Sequence, residues 1–469
     1  STLLPYTTLF RSFIVVALGC GLFTNQIILS DFMEEHQINI RMFRPMESYQ
    51  KYGGVLTFAR SVGYAVVKKP EGYTTAKVDQ IIQEYEKKSA NEQQSTAKQY
   101  PNIITVVNET FADIKVLGDF KTNEDYMPYF HSLKKNCVTG YTYASIVGGQ
   151  TANTEFELLT GNTLGFLSAG TTAFQLYIHG QMPSLVSNLK AEGYSGNKAM
   201  HPFNPYNYNR PAVYKDFGFT DFIDKFDFPK NVKRVREYIS DEANVDRIIS
   251  EYEKNRKKTD QPFYMYNMTI QNHSPYDKDA ANFKQPIKIE SSKYDAEANR
   301  YLNLIKYSDD SLKQLTSYFE KCKEPTIILF LGDHQPRLTD EFMNKITNGQ
   351  YQTWSSEQMM KRYQVPFVIW ANYDIKEQHI EKTSMNYIQS ILTKTAGVKM
   401  TGYQRFLNEV RKEVPTITSQ GYWGKNGKFY QINDKGSPYY GIIQKYRMIQ
   451  YNMMFDKKNR RDSFFEVSK

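Results

Sequence analysis

The run Thr326-Ile327-Ile328-Leu329-Phe330-Leu331, set between Pro325 and Gly332, constrains the fold of this chain more than any other stretch. An unbroken apolar run with such boundaries suits a β-strand covered on both faces, as strands are in parallel sheets. Directly after it stand Asp333 and His334, a carboxylate beside an imidazole. The C-terminal end of such a strand is where open α/β sheets bind ligands. A polar turn after a core strand would read the same, so the weight falls on how the other strands end.

They end in a similar way. Residues 102–107 (NIITVV) read as a β-branched strand that closes on Asn108-Glu109-Thr110. Residues 262–270 (PFYMYNMTI) read as another and close on Gln271-Asn272-His273-Ser274. Residues 197–200 lead to His201 and then to a loop rich in aromatics and asparagine that carries Tyr208 and Arg210. Residues 365–370 (VPFVIW) predict one more buried strand, and helical patterns such as 299–320 lie between the strands. This alternation predicts an α/β fold with a largely parallel central sheet flanked by helices. The tail, 401–469, predicts a small C-terminal α+β element.

A different kind of segment spans Gly148-Gly149-Gln150-Thr151-Ala152-Asn153. Its glycines allow close backbone approach to a ligand, and Thr151 sits at the start of a predicted helix, where amides favour anions. Threonine there also reads as an ordinary N-cap.

Composition narrows the class. Hydrophobic residues at 40% and charged residues at 23% describe a globular chain. A net charge of +9 favours an anionic partner such as lipid or a phosphate polymer. The charge is scattered rather than run together, which argues against nucleic acid. Cys20, Cys137 and Cys322 have neither metal-type spacing nor a dense disulfide pattern.

The N-terminal part carries no evident chemistry. Residues 13–23 are apolar but too short to cross a bilayer, and fit a signal-peptide core or the end of a transmembrane helix. Residues 1–12 resemble translated sequencing adapter, in which case natural sequence continues upstream. The expected division is a truncated transmembrane or artefactual segment at 1–29, a helical juxtamembrane stalk at 30–99 and a catalytic domain at 100–469. Within the stalk, 77–88 predicts a surface helix and 89–98 a polar tether.

Taken together, the strand ends offer two carboxylates, three imidazoles and a hydroxyl that could share one sheet edge. Carboxylate and imidazole ligands suit a divalent ion such as Mn²⁺, Zn²⁺ or Mg²⁺. A threonine hydroxyl becomes a competent nucleophile when metal coordination lowers its pKa. Arg210 can bind a phosphate through two donors, and Tyr208 can cover an apolar part of a substrate. This is the chemistry of phosphoryl transfer through a covalent intermediate.

The ordered set Asn108-Glu109-Thr110-Phe111, Gly149-Gln150-Thr151-Ala152-Asn153-Thr154-Glu155-Phe156, Asn272-His273-Ser274-Pro275-Tyr276 and Gly332-Asp333-His334 resembles the lipoteichoic acid synthase family. These are phosphoglycerol transferases of the alkaline phosphatase/sulfatase superfamily. The resemblance covers roughly residues 30 to 420. It implies an alkaline phosphatase-like fold in a membrane-anchored enzyme of a Gram-positive bacterium, with its catalytic domain outside the cell. It implies that Glu109, Thr151, Asp333 and His334 hold one Mn²⁺-like ion and that Thr151 is the nucleophile. Phosphatidylglycerol would donate glycerol phosphate, which passes to a glycolipid or a growing polyglycerolphosphate chain. His201, Arg210 and His273 match positions that contact glycerol phosphate. Tyr208 stands where some members have tryptophan, and the residues between His201 and Tyr208 depart from the best-known members. Acceptor and head group therefore stay open.

Sulfatase chemistry needs a cysteine or serine followed by Pro and Arg at fixed offsets, and Thr151 is followed by Ala152, Asn153, Thr154 and Glu155. A phosphoethanolamine transferase, a phosphodiesterase and an inactive cell-envelope binding paralogue are the alternatives. Asn108, Asn267 and Asn272 open formal glycosylation acceptors. They lie at or beside the proposed site and are expected to be unmodified.

Overall fold

The computed structural model describes residues 4–23, 25, 45–65, 67–90, 99–290 and 295–467. The start of the expected stalk, up to residue 44, and most of the expected tether, 91–98, lie outside the described residues. At the centre is an eight-stranded sheet. Its strands are β1 (Asn102–Asn108), β2 (Cys137–Tyr143), β3 (Ser195–Met200), β4 (Asp221–Ile223), β5 (Phe263–Met268), β6 (Thr326–Gly332), β7 (Gln364–Ala371) and β8 (Gln378–Ser384). The spatial order is β8-β2-β7-β6-β1-β5-β3-β4. Only β7 runs against its neighbours, β6 and β2; every other pairing in this sheet is parallel.

The apolar runs are unbroken because both faces of the sheet are covered. Alternate side chains of a strand point to opposite faces. Accordingly Ile103, Val107, Ile327, Leu329 and Leu331 join one core, and Ile104, Val106, Ile328 and Phe330 join the other. The first core is closed by helices that include Thr151–Thr160, Met385–Thr395 and Gly402–Glu413. The second is closed by Asp241–Arg256 and Ala296–Phe319.

The C-terminal element holds an antiparallel sheet of Thr416–Thr418, Gly421–Trp423 and Phe429–Tyr430. It also holds a 15-residue helix, Tyr440–Met454. Helix Thr75–Lys88 packs against it and buries Val78, Ile81, Ile82 and Tyr85 in the first core. Arg461 binds Asp79 through both Nε (2.6 Å) and Nη2 (2.8 Å), and Lys445 binds Glu84. The helix expected on the surface thus seats one face on the body that carries the central sheet.

At the N-terminus a 20-residue helix spans Leu4–Phe23. Among the described residues no helix is long and apolar enough to cross a membrane.

Candidate active site

β1 and β6 are parallel neighbours with Asn108 opposite Gly332, so Glu109 and Asp333 leave the sheet side by side. Gly332 is required by packing, since a Cβ there would lie 1.8 Å from the Phe111 carbonyl oxygen. Asp333 Oδ1 accepts from the amides of Thr110 (2.7 Å) and His334 (2.8 Å). Its Oδ2 lies 3.2 Å from His334 Nε2, which is 3.8 Å from Glu109 Oε1. His334 Nδ1 is 2.9 Å from the Gln335 carbonyl. A carbonyl only accepts, so Nδ1 carries a proton and Nε2 is the nitrogen turned toward the two carboxyl groups.

These three groups are buried, and all their ligand atoms lie within 4.8 Å of one another. Among the described residues, Asp333 Oδ2 and His334 Nε2 have no hydrogen-bond partner. Burial, and then the adjacent Asp333 carboxylate, pushes the Glu109 carboxyl well above its usual range. Two buried carboxyl groups and an imidazole with converging ligand atoms are costly without a cation between them. The donor set therefore fits a divalent ion.

Thr151 is the first residue of helix Thr151–Thr160, and the N-cap is Gln150, whose φ of 67° is left-handed. Thr151 is thus inside the helix rather than capping it, which removes the N-cap reading of this residue. Its hydroxyl makes no hydrogen bond to a described residue, while the helix N-terminus favours an anion beside it. Thr154, one turn on, donates to the Asp333 carbonyl at 2.8 Å and ties this helix to the end of β6.

Glu109, Thr151, His201, Tyr208, Arg210, His273 and His334 line one cavity of about 540 Å³. Asp333 stands behind them, fully buried. The eight residues expected from sequence are therefore brought to one edge of the sheet. His201 follows β3, and its Nδ1 donates to the Met268 carbonyl at 3.0 Å, leaving Nε2 for the cavity. Burial, then the Arg210 guanidinium, holds His201 well below its ordinary pKa, so the ring is neutral. His273 Nδ1 bonds the Ser274 carbonyl at 2.7 Å, and Phe203 stacks on the ring at 6.2 Å.

Arg210 is buried, and its Nε (3.0 Å) and Nη2 (2.7 Å) both bind Glu155 Oε1, which leaves Nη1 for the cavity. Burial disfavours its charge, but the Glu155 carboxylate more than restores it and the pKa rises. Tyr214 and Tyr266 donate to Glu155 Oε2. Tyr208 lies with its ring 5.1 Å from the Arg210 guanidinium, on a left-handed backbone (φ 59°) that a bulky residue seldom adopts.

Sequence reading gave no site role to Glu155, Thr110, Gln175 and Arg337. Glu155 carried a usable signal: it lies four residues after Thr151, one helical turn along the same face. Asn108, Asn267 and Asn272 are fully buried, closed to a glycan-transferring enzyme.

Comparison with known proteins agrees with this architecture. A chain of 30% identity over 433 residues, the "Putative cyclic beta-1,2-glucan modification protein" of Rhizobium meliloti (strain 1021), aligns with 91% of this chain and 65% of its own length. The "Lipoteichoic acid synthase-like YvgJ" of Bacillus subtilis (strain 168) is 27% identical over 237 residues, 50% of this chain and 36% of that one. This chain thus spans less than two thirds of either relative's length. The Streptococcus pyogenes phosphoglycerol transferase GacH, solved with sn-glycerol-1-phosphate, superposes with a TM-score of 0.69 at 20% identity. That match covers 86% of this chain and all (100%) of the GacH chain, and at this identity it speaks for the fold. The Sulfatase family model matches residues 101–398, well over half of the sequence, and the chain belongs to that family.

Proposed function

We propose that this protein transfers glycerol phosphate from phosphatidylglycerol to a hydroxyl acceptor through a phosphothreonine at Thr151. The observation that carries this reading is the unbonded Thr151 hydroxyl at a helix N-terminus, in the same cavity as a buried acid–acid–imidazole set. Family membership fixes the fold and leaves the reaction to the site. With Ala152, Asn153, Thr154 and Glu155 after Thr151, the residues needed for sulfatase chemistry are absent there.

Thr151 Oγ attacks the phosphorus, the bond to the diacylglycerol oxygen breaks, and diacylglycerol leaves with the proton that Thr151 gives up. An acceptor hydroxyl then attacks the same phosphorus. The bond to Thr151 Oγ breaks, and the acceptor's proton returns to the threonine oxygen. Arg210 offers Nη1 to a phosphate oxygen, and its Glu155 pair fixes that direction. Neutral His201 accepts a hydrogen bond from a glycerol hydroxyl at Nε2. His273, half-buried at the cavity wall, is assigned to the leaving or entering oxygen. Glu109, Asp333 and His334, with Thr151, would hold a divalent ion, Mn²⁺ in our assignment, which would neutralise phosphate charge and lower the threonine pKa.

The lipid donor puts the enzyme at a membrane surface, with lipoteichoic acid-type polymer or glycolipid as the acceptor class. A second reading of the acceptor is a glucan, favoured by the Rhizobium meliloti relative that aligns with 91% of this chain. The test is hydrolysis of a fluorescent phosphatidylglycerol with and without Mn²⁺. Metal-dependent release of diacylglycerol, lost in Thr151→Ala, is expected. Equal turnover in both proteins would overturn the assignment of Thr151.

A further inference from the structure

A second cavity, of about 490 Å³, shares Gly148, Gly149, Gln150 and Arg337 with the first. The two spaces therefore meet on the loop that leads into Thr151. Gly148 is left-handed (φ +67°), and a Cβ there would lie 3.0 Å from Arg337 Cβ, so loop and arginine are in close contact.

The second cavity is a built structure. Gln335, two residues past Asp333, accepts from the Gly148 amide at 3.0 Å. Its Nε2 donates to the carbonyls of Lys361 and Gln364, both at 2.8 Å, and so holds the segment that carries Arg362. On another wall, Ser419 Oγ donates to the Ser145 carbonyl at 2.7 Å and seats Ser419 and Gln420 in the cavity lining. Arg362, Ser419 and Gln420 belong to the 490 Å³ cavity and do not line the first one. Ser419 and Gln420 form the turn between the first two strands of the small C-terminal sheet, beyond the 101–398 span matched by the family model.

Its charge is one-sided. Arg337 is exposed, and neither it nor Arg362 forms a hydrogen bond or ion pair with a described residue. Arg362 Nε is buried without a partner, and its guanidinium lies 4.9 Å from the Tyr351 ring centre. The one acid in the lining, Asp340, already accepts from Tyr351 Oη at 2.5 Å. Two guanidiniums against one carboxylate that is already hydrogen-bonded, among hydroxyl and amide groups, suit a phosphate on a polyhydroxylated chain.

From this we infer that the second cavity is the acceptor subsite, and that it takes a polyol or glycan chain already carrying phosphate. The inference rests on the phosphothreonine reading and names the acceptor for it. A chain lying across the 148–150 loop would place its phosphate between Arg362 and Arg337 and its terminal hydroxyl toward Thr151.

Two measurements test it. In the first, the protein loaded with glycerol phosphate from phosphatidylglycerol is chased with a synthetic glycerol phosphate trimer or with an uncharged β-1,2-glucan, and loss of the adduct is followed by mass. The trimer should chase at the lower concentration. Arg362→Gln should raise the half-saturating trimer concentration about tenfold, with adduct formation from the lipid unchanged. Gln420→Glu, which adds a repelling charge and gives up only the side-chain bond to Ser419 Oγ, should act in the same direction. In the second, trimer binding to Thr151→Ala is measured by calorimetry, with and without Arg362→Gln. A glucan that chases as well as the trimer, or trimer binding and chase untouched by Arg362→Gln, would overturn the subsite. Failure of wild-type protein to form any adduct would overturn the phosphothreonine reading instead, and calorimetry would still decide the subsite.

Discussion

Arg210 and Arg362 line two cavities that share one loop, and they are held in opposite ways. Arg210 is buried, spends two nitrogens on Glu155, and is backed by two tyrosines on the same carboxylate. Arg362 rests on the face of Tyr351 and, among the described residues, pairs with no carboxylate. The first arrangement aims one nitrogen in a fixed direction, as chemistry at a single phosphorus demands. The second leaves a charge adjustable, as suits a chain that must slide in and out. A group fixed in this manner is expensive to disturb, whereas a loosely held one can be changed with little effect on the fold.

This contrast can be broken or sharpened by substitution. Thr151→Ala should lower turnover about a thousandfold or more while leaving the thermal transition nearly unchanged, as read by lipid release and calorimetry. Glu155→Gln should leave Arg210 buried and unbalanced, destabilising the fold by about 3 kcal/mol in denaturant titration. It should also raise the half-saturating lipid concentration. Mn²⁺ at about 100 times its Kd should stabilise the wild type by about 2.7 kcal/mol. Chelation should reverse that gain, and Asp333→Asn should show no such gain. Arg362→Gln should shift stability by about 1 kcal/mol or less, since within the fold its charge meets only the face of Tyr351.

The smallest effect lies away from both cavities. A hydrogen bond to Asp113, opposed by burial and reinforced by Asp125, pushes His131 up to about 9. The folded state therefore holds a proton that the unfolded chain releases near pH 6.5. This contribution is full below pH 6.5 and is lost as the pH rises toward 9. The stability gap between wild type and His131→Gln should shrink over that range. A gap that stays constant with pH would show that the imidazole contributes through packing alone.

The two cavities also differ in how far the sequence revealed them. Glu109, His273, Asp333 and His334 follow apolar runs, His201 follows the mixed strand SGNKAM, and parallel packing turns "end of strand" into "same edge". Glu155 and Arg210 are 55 residues apart and meet only through tertiary packing, so neither local pattern predicted the pair. The second cavity was invisible for the same reason: its walls come from residues near 148, 340, 362 and 420. In the fold, β2 (CVTGYTY) escaped notice because Gly140 interrupts it. That glycine is needed because a Cβ would lie 2.0 Å from the Ile380 carbonyl of the neighbouring strand. β8 (QHIEKTS) is a polar strand at the sheet edge, where one-sided burial weakens the pattern. Helix Tyr440–Met454 did carry a helical spacing in Ile443, Tyr446, Ile449 and Met453, masked by its tyrosines and Gly441.

The most direct test of the account is intact-mass analysis of the protein incubated with phosphatidylglycerol and Mn²⁺. A gain of one glycerol phosphate in the wild type, absent in Thr151→Ala and retained in Arg362→Gln, is the predicted result. Metal-bound wild-type protein that releases diacylglycerol without ever gaining that mass, even on rapid quenching, would contradict it.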